Sequence, residues 1–170
     1  QATGKSLGNR LTWLVGLYHF RESGAQDFLD TLGLFGLPTF PLFEQQTRTR
    51  SWAVFAQASY DLSERTAVTL GGRYTRDDKA FDARIAPPAN IAVSLDETFN
   101  SFTPHIGLQH RYSDDILAYA SLSRGFKAGG FNGLSRDPRV LAQSYRPQTV
   151  WAWELGLKTE LLDRRLRANF

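Results

Sequence analysis

The chain has 170 residues, contains no cysteine, and carries a formal net charge of +3 at pH 7. The lack of cysteine excludes disulfide frameworks and thiolate metal sites. The positive excess is small and spread along the chain, so we expect no nucleic acid partner. No apolar run approaches the roughly 18–20 residues of a transmembrane helix.

Alternation of apolar and polar side chains predicts six strands and the start of a seventh. Successive side chains of a strand point to opposite faces, so residues of one parity share a face. The predicted strands are Arg10–Phe20, Arg50–Tyr60, Arg65–Arg76, Asn100–Tyr112, a fifth that starts at Ile116, Thr149–Leu161, and a seventh that begins at Leu166–Phe170.

The connections between these strands alternate in length. Tight turns are predicted at Asp61–Glu64, Ser113–Asp114 and Asp163–Arg164, and long loops at Arg21–Thr47, Asp77–Phe99 and Gly129–Gln148. Short turns at one end, long loops at the other and aromatic residues near the strand ends are typical of a transmembrane barrel. A soluble sandwich would show the same alternation of side chains, but it does not require long loops on one side.

We therefore predict an all-β fold, an antiparallel transmembrane β-barrel segment. Six or seven strands are too few to close around a polar lumen, and unpaired strand edges are very costly in lipid. The chain has no methionine and ends in mid-pattern. We expect residues 1–170 to be part of one barrel domain whose other strands lie outside this sequence; a processed mature chain is the alternative.

The sequence carries no pattern that predicts catalysis, a metal site or a cofactor. His105 and His110 have opposite parity and cannot share a metal, and no GxSxG nucleophile motif is present. Asp77, Asp78 and Asp82 do not match the spacing of an EF-hand loop. We interpret these three residues as the solvated rim of a loop.

Polar side chains on one parity are candidates for lining a lumen. They are Arg73, His105, Lys127, Glu154 and Lys158. Arg124 has the opposite, lipid-side parity near the predicted rim. It either meets phosphates of lipopolysaccharide or extends its charged end to water, and we favour a structural role.

The long loop between Phe28 and Phe43 is the best candidate for a ligand-binding surface. Exposed apolar clusters usually mark binding sites, and this segment includes Phe35, Phe40 and Phe43. The alternative is a lid that packs on itself or on neighbouring loops. Tyr145 and Arg146, in the third long loop, are further candidates.

One stretch carries a family resemblance. The sequence YASLSRGFKAGGFNG, Tyr119–Gly133, runs from a strand into a glycine-rich loop. It resembles a segment that recurs in the β-barrels of TonB-dependent outer-membrane receptors. The likeness extends through FTPHIGLQHRYSDD (Phe102–Asp115), VTLGGRYTRDDKAF (Val68–Phe81) and Ser144–Phe170, and so covers most of Trp52–Phe170.

The resemblance implies a receptor in the bacterial outer membrane that takes up a scarce ligand with energy from TonB, most commonly an iron–siderophore complex. In this family an N-terminal plug fills the barrel and engages the TonB complex; neither the plug nor the TonB motif is in this sequence. The implied partners are outer-membrane lipid and lipopolysaccharide, the TonB complex and a small-molecule ligand. Uptake of a vitamin or glycan, a passive porin-like barrel, and a soluble β-rich binding module or carbohydrate-active enzyme remain alternatives.

Overall fold

The computed structural model describes residues 1–29, 41–87, 90–133, 135, 137–161 and 166–169. Within these ranges the chain forms strands and one short helix. The elements are β1 (Ala2–Ser6), β2 (Leu11–Leu29), β3 (Pro41–Asp61), β4 (Thr66–Ile85), β5 (Ile91–Ser113), β6 (Ile116–Lys127), β7 (Gly130–Phe131), α1 (Pro138–Leu141), β8 (Ser144–Tyr145), β9 (Gln148–Leu161) and β10 (Leu166–Asn169).

Eight of these strands form one antiparallel sheet, which confirms the predicted fold class. Its order is β1-β2-β3-β4-β5-β6-β9-β10, and β7 and β8 form a separate two-stranded sheet. In the described part of the chain the large sheet is open, with β1 and β10 at its edges. Strand β1 was not predicted, because its five residues, ATGKS, include no large apolar side chain that would show alternation. No helix in this part of the chain is long and apolar enough to cross a membrane.

Strands β2 to β5 are much longer than predicted, with 19, 21, 20 and 23 residues. The prediction of long loops is therefore wrong for Arg21–Leu29, Pro41–Thr47, and most of Asp77–Phe99. These segments are paired strands, and the described connection between β4 and β5 lies within residues 86–90. The rest of the first predicted loop, residues 30–40, lies outside the described residues. A bilayer needs only about 9–11 residues per strand, so these strands extend well beyond it.

The two faces of the sheet exchange character along the strands. We call the end with short turns the lower end, and the face that carries Arg73 and Glu154 the inward face. In the lower part the outward face is apolar: Leu155 is 86% exposed and Leu17 is 81% exposed. In the upper part the apolar side chains are inward instead, as at Phe43 and Phe81, and the outward face is charged.

Aromatic side chains mark the boundary between the two parts. Trp52 and Tyr74 face outward with ring centroids 5.8 Å apart, and Phe102 lies directly opposite Tyr74. Trp151 lies opposite Arg124 farther along the sheet. A ring of aromatic residues at a membrane interface is typical of a transmembrane barrel. We call these four residues the aromatic girdle.

Candidate ligand-binding vestibule

The apolar core of the described structure lies on the inward face above the aromatic girdle. Its buried members are Phe43, Phe81, Ala83 and Leu141, and partly buried side chains pack around them, namely Phe28, Ile85, Val93, Leu95 and Phe131. Directly paired residues of antiparallel strands share a face, and Phe28, Phe43 and Ile85 are paired in this way across β2, β3 and β4. The upper strands thus form an apolar wall, which we call the vestibule wall.

The connection between β6 and β9 folds against this wall. We call it the flap; it covers residues 129–146, of which 134 and 136 are not described. Leu141 is 0% exposed, and Phe131 stacks on Phe81 with centroids 5.4 Å apart. Asp137 caps the short helix α1 by accepting a hydrogen bond from the Arg139 amide at 2.9 Å, and Pro138 begins the helix.

Two polar contacts fasten the ends of the flap to the wall. Lys79 Nζ donates to the carbonyl of Gly129 at 2.8 Å, and Ser144 Oγ donates to Glu97 Oε1 at 2.8 Å. A Cβ at Gly129 would overlap the ring of Phe99, so only glycine allows the backbone to pass this close. The glycines that give this stretch its family resemblance therefore have a packing reason.

Of the three phenylalanine candidates for ligand binding, the structure describes only Phe43. Phe43 is in strand β3, only 4% exposed, with its ring 5.6 Å from that of Phe28. Its placement in a loop is wrong, because the apolar residues around it are the inward side of a paired strand. Phe35 and Phe40 lie outside the described residues. On the flap, Tyr145 is 44% exposed and Arg146 is exposed, so both are accessible.

The pairing of the strands places the five lumen candidates on the inward face. They are Arg73, His105, Lys127, Glu154 and Lys158. The guanidinium of Arg73 lies 4.9 Å from the ring centroid of Tyr18 and 5.6 Å from that of Phe55. Glu154 accepts a hydrogen bond from Ser121 at 3.4 Å, and Lys158 lies over the Tyr119 ring at 5.4 Å. Whether these residues contact a ligand or a plug stays a prediction.

Comparison with known proteins decides the family. The whole chain, residues 1–170, matches the family model described as TonB dependent receptor-like, beta-barrel. The chain belongs to this family. Its sheet is accordingly part of a barrel in the bacterial outer membrane, and the family is one of receptors rather than enzymes.

Solved receptors share the fold of this TonB-dependent receptor barrel chain. The ferric yersiniabactin uptake receptor FyuA from Yersinia pestis matches with a TM-score of 0.75 and 15% identity, over 94% of this chain and 25% of that one. The ferric-catecholate import receptor Fiu from E. coli K12, in its closed form, matches with a TM-score of 0.75 and 14% identity, over 98% of this chain and 29% of that one. The siderophore receptor PiuA from Acinetobacter baumannii matches with a TM-score of 0.70 and 14% identity, also over 98% of this chain and 29% of that one. The chain thus spans about a quarter of the length of FyuA.

The outward face of this receptor wall carries a charged ladder above the girdle. Arg48 pairs with Asp82 at 2.6 Å, and Ser94 donates to Asp82 at 2.7 Å. Thr98 donates to Asp78 at 2.7 Å, and this hydrogen bond, with help from Arg76, lowers the pKa of Asp78. The interpretation of Asp77, Asp78 and Asp82 as a loop rim is wrong, because all three lie in strand β4. Asp77 faces inward, whereas Asp78 and Asp82 face outward.

The structure also gives the contacts of Arg124 and of the histidines that the sequence analysis discussed. Arg124 donates from Nη1 to the carbonyl of Phe102 at 3.2 Å, where β6 separates from β5. His105 and His110 face opposite sides of β5, and His110 Nδ1 lies 2.9 Å from Thr66 Oγ1. Among the described residues, no three histidine, aspartate or glutamate side chains cluster as metal ligands would.

Proposed function

We propose that this chain forms part of the wall and vestibule of a receptor for TonB-energised uptake of a small-molecule ligand, with an iron–siderophore complex as the leading candidate. The observation that carries the proposal is the vestibule wall with its docked flap. It places an apolar inward surface above the aromatic girdle, and the flap that packs against this surface carries the accessible residues Tyr145 and Arg146. Membership of the TonB-dependent receptor family supports the energy source.

The chemistry of the flap supports an anionic, aromatic or chelated ligand. Tyr145 presents a partly exposed ring and Arg146 an exposed guanidinium at adjacent positions. Rings stack on flat ligand groups, and guanidinium forms charge-assisted hydrogen bonds with anionic oxygens. The likeness in fold to FyuA, Fiu and PiuA, whose descriptions name iron chelates or siderophores, favours the same class of cargo here.

The proposed mechanism is binding followed by a conformational change, without covalent chemistry. The ligand binds above the wall, and the TonB complex acts through a plug that is not in this sequence. The inward polar residues Arg73, Glu154 and Lys158 would then line the lumen beside the plug. Residues 1–170 would all belong to the barrel domain.

The test uses the full-length protein that contains this chain, expressed in cells under iron limitation. Uptake of radiolabelled ferric siderophores is measured with and without functional TonB, against a panel that includes vitamins and glycans. We expect saturable, TonB-dependent uptake of an iron chelate. Uptake that is unaffected by loss of TonB would identify a passive barrel, and uptake of only a vitamin or glycan would overturn the iron assignment.

Variants on the flap connect this uptake to the structure. Replacing Tyr145 and Arg146 together by alanine removes one stacking and one charge-assisted contact, and we expect roughly tenfold weaker ligand binding or more. Arg139→Ala, at another exposed arginine on the same flap, is the control. Equal losses in both variants would contradict a specific role for the pair.

A further inference from the structure

Strand β5 extends above its neighbour β6 and leaves one edge of the sheet unpaired. β6 pairs with β5 only from His105 downward, whereas β4 pairs with β5 as far up as Ile91. In the described part of the chain, residues 91–104 of β5 therefore have a strand partner on the β4 side only. We call residues 91–104 the free edge. A row of unpaired amides and carbonyls at such an edge is a template for another strand.

Two hydrogen bonds show which backbone groups the free edge presents. The amide of Arg111 donates to the carbonyl of Arg65 on the β4 side, and the carbonyl of Phe102 accepts from Arg124 on the β6 side. In an antiparallel ladder each residue directs its amide and carbonyl to the same side, and that side alternates from residue to residue. The even-numbered residues of β5 therefore direct these groups away from β4. On the free edge above Phe102 they are Ala92, Ser94, Asp96, Thr98 and Asn100.

The free edge lacks the features that usually protect an edge strand. Natural sheets protect their edges with lysine, proline, bulges or a covering segment. From residue 91 to residue 103 the sequence contains no lysine, arginine or proline, and the pairing with β4 is regular, without a bulge. Pro104 lies at the level where β6 begins to pair. The described part of the flap contacts β5 through the inward side chains of Phe99 and Glu97, which leaves the backbone edge accessible.

The side chains along the free edge specify the chemistry of a partner strand. Residues directly opposite each other across strands share a face, so apolar partner residues opposite Val93 and Leu95 would continue the vestibule wall. Asp96 is exposed on the outward face, and in the described structure no cation lies within ion-pair distance of its carboxylate. Asp96 and Glu97 are the only charged residues of the free edge, so a basic residue is favoured opposite Asp96.

The membrane disfavours a second copy of this chain as the partner. Two copies in one outer membrane are related by a rotation about the membrane normal, so their β5 strands run in the same direction. Their free edges could pair only in parallel, which is the less stable arrangement. The free edge lies above the aromatic girdle, at the end that faces outside the cell in barrels of this kind. A segment of an extracellular molecule can therefore reach it.

We propose that the free edge binds an extended polypeptide segment of an extracellular partner by adding it as an antiparallel strand. Main-chain hydrogen bonds at Ser94, Asp96 and Thr98 supply affinity, and side chains at alternate positions supply specificity. The segment carries apolar residues opposite Val93 and Leu95 and a basic residue opposite Asp96. This interaction is additional to ligand uptake and does not depend on which ligand is transported.

The test uses a synthetic peptide with isoleucine and valine opposite Val93 and Leu95 and arginine opposite Asp96. Its binding to the full-length protein in detergent is measured by fluorescence anisotropy. Two matched peptides are N-methylated, one at the residues opposite Ser94 and Asp96, and the other at the residues opposite Val93 and Leu95. We expect the first to bind roughly tenfold more weakly or worse, because it leaves backbone groups of the edge unpaired. The second should bind like the unmodified peptide, because its methyl groups point away from β5.

Changes in the protein test the same contacts. Asp96→Pro removes an amide that points to the free edge and not to β4, so the ladder is kept, and binding should weaken roughly tenfold or more. Asp96→Lys places like charges opposite each other and should weaken binding roughly fivefold. Asp27→Lys, at an exposed outward carboxylate of β2, is the control and should change binding little. Hydrogen exchange at the amides of Ser94 and Thr98 should slow when the peptide binds.

Several results would overturn the proposal. They are no binding of the unmodified peptide, equal binding of the two N-methylated peptides, binding unchanged by Asp96→Pro, and equal weakening by the two lysine changes. Association of two copies of the full-length protein that Asp96→Pro abolishes would also overturn it, by assigning the free edge to a second copy. If Asp96→Pro does not fold, the N-methylated peptides and the hydrogen exchange still decide. Ligand uptake by the folded variants should stay unchanged, which separates this proposal from the proposed function.

Discussion

Gly16 lies on the inward face directly opposite Phe55, and a Cβ at this position would overlap the Phe55 ring. The centroid of that ring lies 5.6 Å from the Arg73 guanidinium, and the centroid of the Tyr18 ring lies 4.9 Å from it. Glycine therefore makes space for an aromatic side chain that contacts the inward cation of Arg73. The contact joins three strands, β2, β3 and β4, through side chains on one face.

The change Gly16→Ala should destabilise the barrel by about 1–3 kcal/mol, the usual range for inserting a methyl group into a filled site. Gly107→Ala is the control, since a Cβ there meets only ordinary contacts at 3.5 Å or more. The free energy of unfolding of the full-length protein in detergent micelles, measured with guanidinium chloride, distinguishes the two. Equal losses of unfolding free energy in the two variants would contradict the predicted overlap with the Phe55 ring.

The lowered pKa of Asp78 provides a second test at the scale of a single residue. Its pKa lies below the ordinary value of 3.8, chiefly because Thr98 donates a hydrogen bond to it, with Arg76 contributing and burial opposing. Because the folded state lowers this pKa, the stabilising contribution is present above pH 3.8 and is lost as the pH falls through the lowered value.

The change Thr98→Val should therefore raise the pKa of Asp78 and reduce its acid-dependent contribution to the stability of the upper sheet. A ¹³C NMR titration of the aspartate carboxyl groups in the full-length protein measures the shift. Ser94→Ala is the control, because Ser94 donates to Asp82 and not to Asp78. An unchanged pKa of Asp78 in the Thr98 variant would contradict the assigned hydrogen bond.

At the scale of elements, the sequence predicted the lower halves of the strands and missed the upper halves. In the lower halves the alternation has one sense, with Val68, Leu70 and Tyr74 outward and Arg73 inward. In β4 above the girdle the period of two continues, but the apolar residues are now inward, at Phe81, Ala83 and Ile85. This change of parity, together with the surrounding charged residues, resembles the end of a strand in sequence.

The flap could be predicted only as a loop, for a physical reason. Its helix α1 has four residues, which is too short to show helical periodicity. The contacts that fix the flap, such as Phe131 on Phe81 and Lys79 with Gly129, join residues about fifty positions apart. Tertiary packing of this kind leaves no local pattern in the sequence. Tyr145 and Arg146 could therefore be proposed only by residue type and by their position in a predicted loop, and their role in binding stays a prediction.

The change Leu141→Ala should release the flap from the wall while leaving the barrel intact. Removing a fully buried leucine costs about 2–5 kcal/mol, and here the cost falls on flap docking. We expect faster trypsin cleavage at Arg139 in the full-length protein. Val140→Ala, at the neighbouring exposed position, should leave the rate unchanged. Equal cleavage rates for the two variants would contradict the docked position of the flap.

At the scale of the whole molecule, the exchange of faces defines the membrane boundary. Below the aromatic girdle the wall is apolar outside and polar inside, as lipid and a polar lumen require. Above it the wall is polar outside and apolar inside, as water and a flap-covered vestibule require. One sheet thus serves two environments by switching the parity of its apolar residues.

The cost of an outward substitution to arginine should depend strongly on whether the position lies below or above the aromatic girdle. Ala120 and Ala25 are both exposed and outward, but Ala120 lies between Leu108 and Leu155 below the girdle, and Ala25 lies above it. Ala120→Arg should cost about 2–4 kcal/mol if it lies near the bilayer midplane, whereas Ala25→Arg should be near neutral. Yield of folded protein in the outer membrane and unfolding in micelles measure the difference, and a reversed order would contradict the assigned boundary.

The most direct test places a fluorophore at single cysteines in the full-length protein, reconstituted in liposomes that carry a quencher on the lipid chains. This chain contains no cysteine of its own. Three equivalent changes sample the environments: Ala120→Cys outward below the girdle, Ala25→Cys outward above it, and Ala152→Cys inward. We predict strong quenching by the lipid-chain quencher at Ala120 alone, and access of water-soluble quenchers at Ala25. Lipid quenching at Ala25 or Ala152, or none at Ala120, would contradict the placement of this sheet as the wall of an outer-membrane barrel.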